Sequence, residues 1–258
     1  MLNLSSSDDI RGILFDYGGT LDTAGQHWGQ VLWHACQREG LPVTEKLFRE
    51  AYVYGERYLG NNPIIKPCDT FRRTLSVKLR LELEFLCAHG WDADEGEFAR
   101  RHDSLLAKVY AHVRQVTAHS ASVLAKLHET YPMVLVSNFY GNIRTVLREF
   151  ALDGFFEDVV ESAEVGIRKP DPRIWTIGVE RLGMEPREVV VVGDSFYKDV
   201  EPALKAGCHA VWFKGEGWTR KTYDETVPDR VITDIAQLLA VPTPRAASPR
   251  CPTASSPT

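Results

Sequence analysis

The sequence predicts an α/β protein, a doubly wound parallel sheet with an inserted α-helical domain. Three observations carry this. Short apolar runs without alternation stop at an acidic or small polar residue, amphipathic stretches lie between them, and a long early segment shows helical spacing only. Unalternating β-branched runs are what strands buried on both faces of a parallel sheet show. Strands taking turns with helices is the pattern of the doubly wound class.

Ile13-Leu14-Phe15 runs into Asp16 and makes the first strand. Residues 24–116 then hold four apolar sets at helical spacing: Trp28, Val31, Leu32 and Ala35; Leu47, Ala51 and Tyr54; Phe71, Leu75, Leu79 and Leu86; Phe98, Leu105, Val109, Val113 and Val116. Four such stripes bury one another in a small bundle, punctuated at Asn61-Asn62-Pro63 and His89-Gly90. A helical stretch at 120–131 leads to a strand at Val134-Leu135-Val136, which ends in Ser137-Asn138. Helices follow at 142–150 and 172–182, then Val189 to Val192 runs into Gly193-Asp194. A helix at 200–206 and strands at Ala210 to Phe213 and Val231-Ile232 complete the pattern. The expected division is a core of residues 1–23 and 117–240, a cap of residues 24–116, and a tail of residues 241–258. The tail is almost all Pro, Ser, Thr, Ala and Arg and is expected to be disordered.

Open α/β sheets bind ligands beyond the carboxyl ends of their strands. Asp16, Ser137 and Asp194 fall at those ends, so residues far apart in sequence are expected to meet in one crevice. A helical insertion beside that crevice is a candidate lid.

Composition excludes several classes. Apolar residues make up 44% of the 258 and charged residues 25%, as in ordinary globular proteins. The net charge of −5 gives neither the basic footprint of a nucleic-acid binder nor a polybasic attraction to anionic membranes. No apolar run is long enough to span a bilayer, and the polar start has no signal-peptide stretch. Five cysteines, an odd number without a C-x-x-C pair, fit a reducing cytoplasm better than a disulfide framework. The residues assign no oligomeric state. Trp33, Tyr52, Tyr54 and Tyr58 give the cap an aromatic character suited to core packing or a pocket wall, and Glu82 and Glu84 read as a solvated face.

Four segments carry chemistry. Phe15-Asp16-Tyr17-Gly18-Gly19-Thr20-Leu21 resembles the first motif of the haloacid dehalogenase-like hydrolase superfamily, F-D-x-D-G-T-L. Val136-Ser137-Asn138, Arg168-Lys169-Pro170-Asp171-Pro172 and Val192-Gly193-Asp194-Ser195 to Asp199 resemble its second, third and fourth motifs, in order. The resemblance covers about residues 11–239 and implies a Rossmann-type core with a helical cap. It implies that Asp16 is a nucleophile forming an aspartyl-phosphate. It also implies Mg²⁺ held by Asp16, the carbonyl of Gly18 and Asp194, with Asp199 holding a metal-bound water or Lys169. Lys169 and Ser137 would bind the transferring phosphoryl oxygens, helped by Gly19 and Asn138. The substrate class implied is a small anionic, phosphorylated molecule.

Gly18 departs from the pattern. Phosphatases of the superfamily carry a second aspartate there, which protonates the leaving group and activates water. Without a side chain Gly18 does neither, and losing such a group removes about 10²–10⁴-fold in rate. Four readings follow: a phosphatase with a relocated acid/base, for which His27 and Asp22 are the candidates; a phosphonoacetaldehyde hydrolase-like enzyme with a Schiff-base lysine in the cap, Lys46 or Lys66; a metal-free 2-haloacid dehalogenase; or a catalytically impaired binding or regulatory protein.

Overall fold

The structure is a computed structural model in which residues 10–239 are described. The tail expected at 241–258 lies outside the described residues.

Six strands form one parallel sheet in the order β3-β2-β1-β4-β5-β6. They are β1 (Gly12–Phe15), β2 (Met133–Ser137), β3 (Asp158–Glu161), β4 (Val189–Gly193), β5 (His209–Phe213) and β6 (Arg230–Ile232). The chain winds outward on both sides of β1, so the order reverses between β1 and β4, where such sheets open a crevice. Register pairs Ile13 with Met133 on one side and with Val190 on the other. Ile13 and Phe15 pack on one face of the sheet, while Leu14 packs on the other with Val134, Val136, Trp175 and Val191. With both faces covered, no polar alternation survives in the central strands.

The sequence pattern missed β3. Asp158-Val159-Val160-Glu161 has only two apolar residues. As an edge strand it carries charge at both ends: Asp158 pairs with Arg144 and Arg181, and Glu161 accepts the Gly141 N–H at 2.5 Å.

The insertion is helical: α1 (Trp28–Arg38), α2 (Glu45–Asn61), α3 (Phe71–Ala88) and α4 (Glu95–His128). Each begins at a residue whose side chain accepts a first-turn N–H, namely His27, Thr44, Thr70 and Asp94. Helix α4 runs unbroken for 34 residues, roughly 50 Å at 1.5 Å per residue. The stretches expected as separate helices before 117 and after 120 are therefore one element, and the expected boundary at 117 falls inside it. Local polarity there is absorbed sideways. The Thr117 hydroxyl turns back on the Val113 carbonyl at 2.8 Å, and the Ser120 hydroxyl donates to the Leu21 carbonyl at 2.8 Å. The second bond pins α4 to the loop that follows β1.

The remaining helices are α5 (Ile143–Glu149), α6 (Ser162–Val165), α7 (Arg173–Leu182) and α8 (Glu201–Lys205). Helix α5 ties the sheet to the insertion. Glu149 accepts from the Phe71 N–H and from the Tyr110 hydroxyl, and the Asn142 amide donates to the Asp69 carbonyl and the Thr74 hydroxyl. Among the described residues no helix is long and apolar enough to cross a membrane.

Candidate active site

The crevice at the carboxyl ends of β1 and β4 gathers three carboxylates. Oxygens of Asp16, Asp194 and Asp199 lie within 4.8 Å of one another. Asp16 follows β1 directly, Asp194 follows β4, and Asp199 is turned inward by the wide helical turn Phe196–Val200. Lys169 enters ahead of α7, its Nζ 2.5 Å from Asp16 Oδ1 and 2.9 Å from Asp199 Oδ1. The Trp175 ring centroid lies 4.4 Å from that ammonium. Burial alone would lower the Lys169 ammonium, but Asp16 and Asp199 outweigh it and hold its pKa above the ordinary value. Burial pushes Asp199 up to about 6 against the pull of Lys169, and pushes Asp194 well up, with the charges of Asp199 and Asp16 adding to it.

Three carboxylates thus face one ammonium. Buried charge left without a counter-charge is strongly unfavourable. The donor set is entirely oxygen, as Mg²⁺ requires, so these residues fit a divalent cation.

Thr20, a residue of the first motif with no role assigned from sequence, joins the two strand ends. Its hydroxyl lies 2.9 Å from Asp16 Oδ2 and 3.3 Å from Asp194 Oδ1, and it accepts the Asp194 N–H at 3.0 Å.

Several sequence expectations change here. The Gly19 N–H, expected to face phosphate, donates to Asp22 Oδ1 at 2.7 Å. Asp22, expected as a relocated acid/base, is fully buried, with its other oxygen accepting from Trp28 Nε1 at 3.0 Å. Burial raises its carboxyl to about 7, but both oxygens are engaged in holding the loop. His27 does line the cavity. Its Nδ1, however, accepts the Gly29 N–H at 3.0 Å to cap α1, and its ring stacks on Trp218 with centroids 5.0 Å apart. Burial, with Lys198 and Lys78 nearby, lowers its pKa to about 3. A ring held neutral with its lone pair engaged is no proton acceptor. The Asn138 side chain, expected at phosphate, brackets the backbone of Lys169, accepting its N–H at 2.9 Å and donating to its carbonyl at 3.1 Å. Ser137 is buried at the end of β2. Lys46 and Lys66 are exposed and do not line the cavity.

A cavity of about 520 Å³ stands over the carboxylates. Its walls are strongly aromatic, with His27, Trp28, Tyr52, Phe139, Tyr140 and Trp218 among them. Tyr52 therefore forms pocket wall, whereas Trp33 packs on Phe48 and Tyr54 is 40% exposed. The cap wall carries one more charged group that sequence reasoning passed over. Lys78 of α3 is ion-paired with Glu56 of α2, whose Oε1 also accepts the Tyr140 hydroxyl at 2.9 Å. Glu82, expected on a solvated face with Glu84, is buried one turn beyond Lys78, and burial raises its carboxyl to about 8. The signal was present: Lys78 and Glu82 fall on the Phe71, Leu75, Leu79 and Leu86 stripe, four residues apart.

Known proteins resemble this chain over most of its length. Residues 10–207 match the model of the family described as haloacid dehalogenase-like hydrolase. A glyceraldehyde 3-phosphate phosphatase of Pyrococcus furiosus is 30% identical over 135 residues, 51% of this chain and 56% of that protein. A phosphoglycolate phosphatase of Vibrio cholerae is 26% identical over 237 residues, 90% of this chain and 96% of the other. The chain thus spans about half the length of the archaeal relative and nearly all of the bacterial one. The crystal structure of a dehalogenase with intermediate complex superposes with a TM-score of 0.60 at 18% identity, covering 90% of this chain and 97% of that one, a likeness of fold.

Proposed function

The chain belongs to the haloacid dehalogenase-like hydrolases, and from that premise we propose a Mg²⁺-dependent phosphoric monoester hydrolase that acts on a small phosphorylated metabolite through Asp16. The observation that carries the reading is the pairing of Asp16 with Lys169 beside Asp194 and Asp199 on the floor of a walled cavity. The relatives named as phosphatases of glyceraldehyde 3-phosphate and phosphoglycolate support it.

Mg²⁺ would be held by Asp16, Asp194 and the Gly18 carbonyl, and would supply charge neutralisation between the carboxylates and the phosphate dianion. The protein's own residues do the rest. Lys169 at Asp16 Oδ1 and Thr20 at Oδ2 hold the carboxylate in one orientation, the kind of positioning that attack on phosphorus requires. Lys169 and the Ser137 hydroxyl take up the transferring phosphoryl oxygens and offset the charge that develops on them. Asn138 holds the Lys169 backbone and Asp199 its ammonium, so that lysine is kept beside Asp16. Water then cleaves the aspartyl-phosphate.

The other readings fare less well. A Schiff-base lysine must be neutral to attack a carbonyl, whereas Lys78, the buried cap lysine at the cavity, is paired with the carboxylate of Glu56. A metal-free dehalogenase has no need of the acidic cluster. The test is a screen of phosphate esters, phosphonates and haloacids with and without Mg²⁺. Asp16→Asn keeps the shape and removes the nucleophile, so turnover of phosphate esters should vanish while the circular dichroism spectrum stays unchanged. Full activity in that variant would overturn the assignment.

A further inference from the structure

We propose that Lys78, held on the cap wall by Glu56 and Tyr140, donates the proton to the leaving-group oxygen, the part for which Gly18 has no side chain. This rests on the phosphatase reading above.

The gap at Gly18 has a direction. A Cβ there would meet nothing closer than the edge of the Trp28 indole, at 3.9 Å. The neighbours in sequence do not fill the role, because Asp22 is bonded through both oxygens and the Nδ1 of His27 caps α1. Beside the same indole stands Lys78. Its Nζ lies 5.9 Å from the Trp28 ring centroid and 4.4 Å from that of Tyr52, and the side chain lines the cavity. Gly18, the Trp28 indole and Lys78 thus line one cavity, with Lys78 entering it from the cap.

The surroundings of Lys78 keep it protonated, as a proton donor must be before the step. Its side chain is 8% exposed, and an ammonium buried on an apolar helix stripe needs a counter-charge. Glu56 provides it. Burial would raise the Glu56 carboxyl, but Lys78 overrides this and keeps it below the usual range, hence ionised. Glu82, one turn away, retains its proton near neutrality, so Lys78 has one counter-ion and not two. Tyr140 fixes Glu56 from the sheet side, which makes Glu56 a positioning residue. The other cations at the cavity are placed differently. Lys169 is bound to Asp16 and Asp199, Lys214 is paired with Glu225, and Arg168, Lys198 and Lys221 are exposed.

The step balances. As an Asp16 oxygen bonds to phosphorus, the bond from phosphorus to the ester oxygen breaks, and that oxygen takes a proton from Lys78 Nζ and leaves as the alcohol. The neutral amine then accepts a proton from the water that attacks the aspartyl-phosphate. Phosphate departs, and both the Asp16 carboxylate and the Lys78 ammonium are restored.

The test compares two esters of similar size in the presence of Mg²⁺: 4-nitrophenyl phosphate, whose phenolate leaves without a proton, and benzyl phosphate, whose alkoxide does not. In Lys78→Met, kcat on benzyl phosphate should fall by about 10²–10⁴-fold, with less than about a tenfold fall on 4-nitrophenyl phosphate. Lys78→Arg keeps the charge but holds its proton too tightly to donate, and should show the same selective loss. The ratio of the two rates does not depend on the fraction of protein folded. An unchanged ratio in both variants, or full benzyl phosphate turnover by either, would overturn the assignment of Lys78 and leave the phosphatase reading standing. A wild-type protein inert on both esters would instead overturn the phosphatase reading, and this inference with it.

Discussion

At Gly19 the backbone has φ +104°, and a Cβ would lie 2.4 Å from Asp194 Oδ1. At Gly18, one residue earlier, a Cβ would sit in open space apart from Trp28. The two glycines of the first motif are thus held to different standards. Gly19 is required by its positive φ and by the close approach of Asp194, whereas Gly18 leaves room for a side chain. Gly18→Ala is expected to be neutral or to stabilise by about 0.4–1 kcal/mol, through the unfolded state. Gly19→Ala should destabilise by about 1–3 kcal/mol from backbone strain alone and impair turnover by displacing Asp194. Denaturant unfolding of the two variants side by side checks both. The motif as a string marks Gly18 as a departure and Gly19 as a match without giving the physical reason. What separates them is the distance to Asp194, which lies 175 residues on.

Among the elements, the segment after β5 shows what packing adds. Residues 214–222 leave the sheet and seat Trp218 on the insertion. The Trp218 ring stacks on His27, lies 4.0 Å under the Arg49 guanidinium and approaches Tyr52 to 4.8 Å. The Trp218 carbonyl accepts from Arg49, the Gly217 carbonyl from Gln30 at 3.0 Å, and the Glu216 carbonyl from the His27 N–H at 2.9 Å. One wall of the cavity is therefore built from the core and the cap together. A Cβ on Gly29 would come within 2.1 Å of the Trp218 ring. Gly29→Ala is expected to unseat Trp218, seen as a red shift in tryptophan emission and faster proteolytic cleavage within 214–222, with α1 itself intact. Helices α1 to α3 were legible as elements because their stripes and caps are local. Two features were not. Strand β3 is fixed by pairing with β2 more than by its own two valines, and α4 runs on through Thr117 and Ser120, where Ser120 is tied to Leu21, 99 residues away.

For the whole molecule, the net charge of −5 conceals a local imbalance that a cation would relieve. Mg²⁺ is expected to raise the melting temperature, since a ligand that binds only the folded state at 100 times its Kd adds about 2.7 kcal/mol. Asp194→Ala should abolish that shift. A melting temperature indifferent to both Mg²⁺ and chelator would count against the metal site. Sequence pattern alone carried the class of fold and set Asp16, Ser137 and Asp194 at the strand ends of one sheet, while Lys169 and Asp199 were added by resemblance of motifs. It could do so because strand periodicity, helix alternation and the topology of parallel sheets are carried by local pattern. Which of the neighbouring polar groups are free to act depends on packing between distant segments. Asp22, Asn138 and the Gly19 N–H are engaged inside the loops, and His27 caps a helix. Lys78, unremarkable on its helix, faces the cavity. The reason is physical: hydrogen-bond partners and burial are set by residues distant along the chain, and a group's chemistry depends on whether its lone pairs and protons are already in use.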